Sequence, residues 1–276
     1  MRSANLFCAI LVLALQPLLR AATETKGTAP KLTAATIVDK NVAARGGLAA
    51  WRSVHAIEMK GTMEAGGNQR STLPVPGEKS AMKVVPPRPK EQVQLPFVME
   101  LERKRKMRVE IEFKGQTAVQ VYDGAQGWKV RPFLNRHEVE KFTAEEMKAA
   151  SAQSDLDGLL IDYAAKGSKV ELESTDQVQG RNAYNLKVTD KNGNVRHVWV
   201  DAETFLETKI EGTPRRLDGK YHPVATYLRD YRSVNGIVMP YLLETKVEGV
   251  SDTEKIKIES IVSNPKLDDS LFAMPR

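Results

Sequence analysis

Residues 255–261 read Lys-Ile-Lys-Ile-Glu-Ser-Ile, so apolar side chains fall at every second position through most of the run. That period sets one dry face and one wet face on a β-strand. The same alternation recurs upstream. Over residues 56–63, Ile57, Met59, Gly61 and Met63 share one side while Glu58, Lys60 and Thr62 share the other. Phe97, Met99 and Leu101 oppose Glu100 and Glu102, and Met107, Val109, Ile111 and Phe113 oppose Arg108, Glu110 and Glu112. Val119 and Val121 lead into a glycine-bearing hairpin turn at 122–127, after which Trp128 and Val130 continue the ladder. Further strands are predicted over 170–175, 183–189, 195–201, 204–211, 224–231, 238–247 and 254–263. Asp190-Lys191-Asn192-Gly193-Asn194 and Ser233-Val234-Asn235-Gly236 are hairpin turns between them. The expected fold class is mainly β with a few α-helices, about 10–11 antiparallel strands whose dry face needs a cover.

Helical spacing is confined to three places. Residues 33–48 carry Ile37, Val38, Val42 and Leu48 on a rough stripe, capped by Thr33 or Thr36 and interrupted by Gly46-Gly47. Thr143-Ala144-Glu145-Glu146 is a capping box opening a short helix. Leu156, Leu159, Leu160 and Tyr163 give a further helix over 156–165. Between residues 65 and 96 stand Pro74, Pro76, Pro86, Pro87, Pro89 and Pro96, which predicts a long excursion or an edge ribbon, because proline cannot donate to a central ladder.

The start of the chain reads differently. Arg2, the apolar run 6–15 and Gln16-Pro17 fit a secretory signal over 1–22, with an uncleaved anchor as the alternative. A polar leader over 23–32 and a single domain over 33–276 follow, and the expected location is the periplasm. The single cysteine, Cys8, lies inside the apolar run, so the mature chain has neither disulfide nor thiolate chemistry. Without Arg2 and Arg20 the 41 basic residues become 39 against 35 acidic ones, a mild excess that is no nucleic-acid signature but favours an anionic membrane surface slightly. The basic run Arg103-Lys104-Arg105-Lys106 reads as a solvated turn.

Catalytic patterns are absent from the sequence. His55, His137, His197 and His222 form no HxxxH or HExxH pair, and no GxSxG elbow accompanies His222. Glu145-Glu146 suits a helix N-terminus and Asp268-Asp269 a terminal turn. No metal, cofactor or enzymatic activity is expected. What remains is apolar surface. Ile57, Met59, Met63, Phe97, Met99, Leu101, Met107, Val109, Ile111, Val119, Val121, Trp128, Leu159, Leu160 and Trp199 are the candidate ligand-binding face, with methionines suited to irregular apolar partners.

Three segments carry a resemblance. Asp201-Ala202-Glu203-Thr204-Phe205-Leu206-Glu207, the run from Tyr231-Arg232-Ser233-Val234-Asn235-Gly236 to Pro240, and Asn264-Pro265-Lys266-Leu267-Asp268-Asp269-Ser270-Leu271-Phe272 resemble the outer-membrane lipoprotein-sorting (LolA/LolB-like) superfamily. Ala44-Arg45-Gly46-Gly47-Leu48-Ala49-Ala50-Trp51 is similar to the end of the N-terminal helix in its bacterial members. The resemblance implies an incomplete antiparallel β-barrel with helices covering its mouth, and a cavity for lipids or lipoprotein acyl chains. The expected function is a monomeric envelope carrier of apolar ligands. Two alternatives stand beside it: an envelope scaffold with a filled core that binds a protein partner, and a hydrolase built around His222.

Overall fold

The computed structural model describes residues 32–66, 92–132, 135–217 and 219–275. The expected signal 1–22, the leader through 31 and residues 67–91 of the proline-rich excursion lie outside them. The described residues hold fifteen strands, more than the alternation predicts: β1 (Ala56–Gly66), β2 (Gln92–Glu102), β3 (Lys106–Phe113), β4 (Gln116–Tyr122), β5 (Gly127–Arg131), β6 (Arg136–Lys141), β7 (Lys169–Val178), β8 (Arg181–Thr189), β9 (Val195–Asp201), β10 (Glu207–Glu211), β11 (Arg215–Leu217), β12 (Lys220–His222), β13 (Val224–Val234), β14 (Ile237–Val247) and β15 (Glu254–Ser263). Most of the surplus is polar. β6 is a charged edge strand, and β11 and β12 form a separate hairpin in the basic loop, so neither shows a dry face for the period to reveal.

Thirteen strands form one antiparallel sheet in the order β6-β5-β4-β3-β2-β1-β15-β14-β13-β10-β9-β8-β7. It ends at β6 and β7, which are not bonded to each other, so the barrel is incomplete. β1 and β2 each extend beyond the predicted limits, and Pro96 sits opposite Thr62, one position beyond the β2–β3 ladder that starts at Phe97. There a missing N–H costs that ladder nothing.

The cover is helical. The stretch 33–48 divides into α1 (Ala34–Ala44), capped by Thr33 through the N–H of Thr36, and α2 (Leu48–Ser53), because Gly46 and Gly47 both take positive φ. Ile37 and Val38 of α1 pack on Leu186, Val188, Val198 and Val200 of β8 and β9. Trp51 of α2 and Ala150 of α3 (Ala144–Gln153) close over β1, β2 and β3. α3 opens on the predicted capping box, with Thr143 Oγ1 accepting from the N–H of Glu146 and Glu146 accepting from the N–H of Thr143. The helix expected over 156–165 is a series of turns instead. Gly158 and Asp162 sit at φ 76° and 53°, which a right-handed helix cannot contain, yet Leu156, Leu160 and Ile161 are buried all the same.

Candidate functional site

Register defines the inner face. Across β3, β2, β1 and β15 run three rows: Met107, Leu101, Ile57 and Ser263; Val109, Met99, Met59 and Ile261; and Ile111, Phe97, Gly61 and Ile258. A fourth row joins Leu95, Met63, Ile256, Leu243 and Leu228 across β2, β1, β15, β14 and β13. Nine of the predicted residues thus share one face: Ile57, Met59, Met63, Phe97, Met99, Leu101, Met107, Val109 and Ile111. Leu95, Ile256, Leu243 and Ile258 join them although they were not singled out. For the β15 pair, the alternation at 255–261 was the available signal.

Gly61 lets two backbones approach. A bulge in the β1–β15 ladder falls between Lys60 and Gly61, and a Cβ at Gly61 would stand 2.0 Å from the carbonyl oxygen of Lys257.

Burial grades along this face. Under the helices it is closed, with Trp51 and Ile57 at 0% exposure and Met107 at 1%. Beyond that first row Met63, Met99, Val109, Ile111, Leu243 and Ile256 are only half-buried, interleaved with buried Met59, Phe97, Ile258 and Ile261. Under the helices the side chains of this face are shielded from solvent, and its partly accessible apolar surface lies beyond them.

Six predicted residues fall elsewhere. The two-residue turn Lys114-Gly115 pairs Phe113 with Gln116, so Val121 stands opposite Arg108 and Ala118 opposite Ile111. Val119, Val121 and Trp128 therefore lie on the outer face, under Leu267, Leu271 and Phe272 of the C-terminal segment. Alternation alone does not say which set of a new strand inherits the dry side. Trp199 is also on the outer face, opposite Asn185 and Lys209, while its neighbours Val198 and Val200 point at α1. Leu159 and Leu160 pack in the second cluster beside α1, away from the first face.

The helical cover is pinned by a buried polar knot at the end of α1. Arg45 donates to both carboxylate oxygens of Glu207 at 2.8 and 2.9 Å and to the carbonyl of Val238 at 2.7 Å. Its guanidinium lies 4.7 Å from the ring centroid of Trp51, whose indole N–H donates to the carbonyl of Arg45. Tyr231 donates its hydroxyl proton to the carbonyl of Glu207, and burial together with the Glu207 charge pushes that phenol well above the usual tyrosine range. Nearby, Asn264 accepts from the N–H of His55 and donates to the carbonyl of Ser53. All four segments that carry the family resemblance supply structural contacts of this kind.

Two clefts lie outside this face. The smaller, about 230 Å³, is bordered by Arg103 and Lys166. Arg103 is committed there to Asp157 and to the carbonyls of Val54 and Trp51, Lys106 to Glu102 and Asp269, and Arg105 to the carbonyl of Ser151. The basic run forms the expected turn, with Lys104 and Arg105 exposed, while Arg103, Arg105 and Lys106 also hold internal partners. The larger cleft, about 480 Å³, lies on the outer face around Trp199, Lys209 and Tyr227. Burial lowers the Lys209 ammonium from the usual lysine range, against the pull of Asp176 and Glu211. Among the described residues no group of three His, Cys, Asp or Glu side chains could hold a metal ion, and no helix is long and apolar enough to cross a membrane.

No family model matches the chain, and no curated protein matches its sequence. Solved structures do match. A LolA superfamily protein from Nitrosomonas europaea superposes with a TM-score of 0.54 at 11% identity, covering 88% of this chain and 98% of that one. A DUF1329 family protein from Desulfovibrio piger gives 0.54 at 13% identity, over 87% and 97%. The fold is that of the LolA superfamily. A Vibrio parahaemolyticus domain of the outer membrane lipoprotein-sorting type gives 0.52 at 13% identity, over 86% and 94%. The LolA-like sheet accounts for nearly the whole length of each of these chains, so the likeness is to an entire architecture and not to a shared hairpin.

Proposed function

We propose that this protein is a non-enzymatic cell-envelope carrier or binding protein that takes the acyl chains of a lipid or lipoprotein against the inner face of its LolA-like sheet. The observation that carries this reading is the half-buried apolar row beyond the helices. From Leu95 on β2 to Leu228 on β13 that row takes four inter-strand steps, about 19 Å at ~4.8 Å each. At roughly 1.2 Å per bond of extended chain, that matches about sixteen bonds. Withdrawing such a chain from water is worth about 0.8 kcal/mol per CH₂, on the order of 10 kcal/mol gross. The lipoprotein-sorting type of the Vibrio domain and the signal-like start of the chain support an envelope, periplasmic setting.

The test is displacement of a fluorescent fatty acid by palmitate, on protein with Met63→Asp and Ile256→Asp in parallel. Saturable binding to the native chain is expected, weakened about tenfold or more by each aspartate, because the charge must be desolvated by the bound chain. Absent binding, or unchanged affinity in both variants, rejects the carrier. The full burial of Trp51 and Ile57 beneath the helices favours a second reading, a scaffold whose core is simply filled. On that reading native mass spectrometry of protein from a membrane-containing host shows no lipid.

A further inference from the structure

The outer cleft is made by side chains of β7 to β10, β13 and β14 and by Pro223 beside the β11–β12 hairpin, on the face away from the acyl-binding row. Two aromatic rings, Trp199 and Tyr227, flank Lys209 across the ladder. The indole N–H of Trp199 donates to Asp176 at 2.7 Å, which fixes the ring in place. Lys209 holds its ammonium 3.6 Å from the Trp199 centroid, and among the described residues no oxygen takes a hydrogen bond or ion pair from its three N–H donors. Asn185, cross-strand from Trp199, is 8% exposed and gives its amide N–H to Ser174, while its carbonyl oxygen accepts from no described residue. A buried acceptor of this kind calls for a donor.

Charge decides the class of ligand. Glu173, Glu211 and Glu248 face Lys209 and Lys246 around the same cleft, and His197 stands between Glu173 at 3.0 Å and Glu211 at 2.6 Å. An anion entering here meets three carboxylates, and a cation meets two ammonium groups. An acyl chain would desolvate all of them. A hydroxyl group both donates and accepts, so it alone meets an orphan carbonyl and an unspent ammonium with the same chemistry. The apolar C–H face of a sugar ring suits indole and phenol rings fixed on a sheet. We propose that this cleft binds a neutral saccharide through Trp199, Tyr227, Asn185 and Lys209.

The proposal is independent of the acyl-binding reading and is tested on the full chain. Saturation-transfer NMR is run with maltose, cellobiose and N,N′-diacetylchitobiose as neutral probes, inorganic phosphate as the anionic one and tetramethylammonium as the cationic one. The expected result is saturable binding of at least one sugar with a Kd of about 1 mM. Lys209→Ala and Asn185→Ala should each weaken it about tenfold, with far-UV circular dichroism and fatty-acid binding unchanged. Lys209 is an outer-face side chain, so its variant keeps the test valid if Asn185→Ala fails to fold. Phosphate or tetramethylammonium binding without sugar binding overturns the proposal, as does the absence of all binding or a sugar affinity untouched by Lys209→Ala.

Discussion

Arg45 and Glu207 are among the least exposed charged groups described, at 9% and 6% side-chain exposure. Such a pair is poor ballast but costly to break, since losing one partner strands the other charge away from water. Arg45→Met should therefore lower unfolding stability in urea by about 3–5 kcal/mol, and the double change Arg45→Met, Glu207→Leu should recover part of that loss. Equal loss in single and double variants would show that packing, not charge, sets the cost. Asp201 contributes to acid sensitivity. Hydrogen bonds from Arg181, then from the backbone N–H groups of Thr204 and Glu203, hold its carboxyl well below the usual carboxylate range, against the effect of burial. A depressed folded value means that the contribution is fully present above the unfolded carboxylate range and is lost as pH falls from there through the lower folded value. Stability of the native chain should decline on acidification. Asp201→Asn should be less stable at neutral pH, with a flatter acid limb in a pH series of denaturation midpoints.

Elements meet at glycine and asparagine contacts that leave no spare room. Gly46, at φ 103°, sits where a Cβ would lie 2.0 Å from the carbonyl oxygen of Gly236 in the β13–β14 turn. The N–H of Val238 donates to the carbonyl of Arg45 at the same junction. Gly46→Ala must move the helix end off the hairpin, and a loss above about 1 kcal/mol in thermal or urea unfolding is expected. A substitution that leaves the midpoint in place would mean that the junction yields. On the outer face Phe272 plugs the C-terminal segment onto Val121 and Trp128. Phe272→Ala should cost about 3 kcal/mol and red-shift the emission of Trp128 in a variant lacking the other two tryptophans. Much of this was legible in the residues. The period-two runs located most strands, Thr143 and Glu146 located α3, and the glycine-bearing segments marked the junctions. Three things were hidden for physical reasons. Charged β6 has no dry face, Gly158 and Asp162 break a stretch whose leucines have helical spacing, and the Lys114-Gly115 turn reverses the parity that assigned Val119, Val121 and Trp128.

One ladder joins the two largest apolar clusters among the described residues, from β5 through β1 and β15 to β8. Unfolding should therefore be cooperative across it, and variants retaining only Trp51 or only Trp199 should report the same urea midpoint. Separate midpoints would mean that the two halves melt independently. The candidate site was legible at this scale only in part. The sequence marks which strands have a dry side, but how much of that side the helices conceal depends on where α1 and α2 dock, and the cleft around Trp199 gathers residues from six separate strands. The two-residue turn after β3 carries a consequence for the history of the chain. Losing or gaining one residue there would turn β4 over, trading Val121 for Tyr122 beneath the C-terminal segment. Point changes on the surface strands can accumulate one by one, but length changes at this hairpin have to come in even steps or bring a compensating bulge with them.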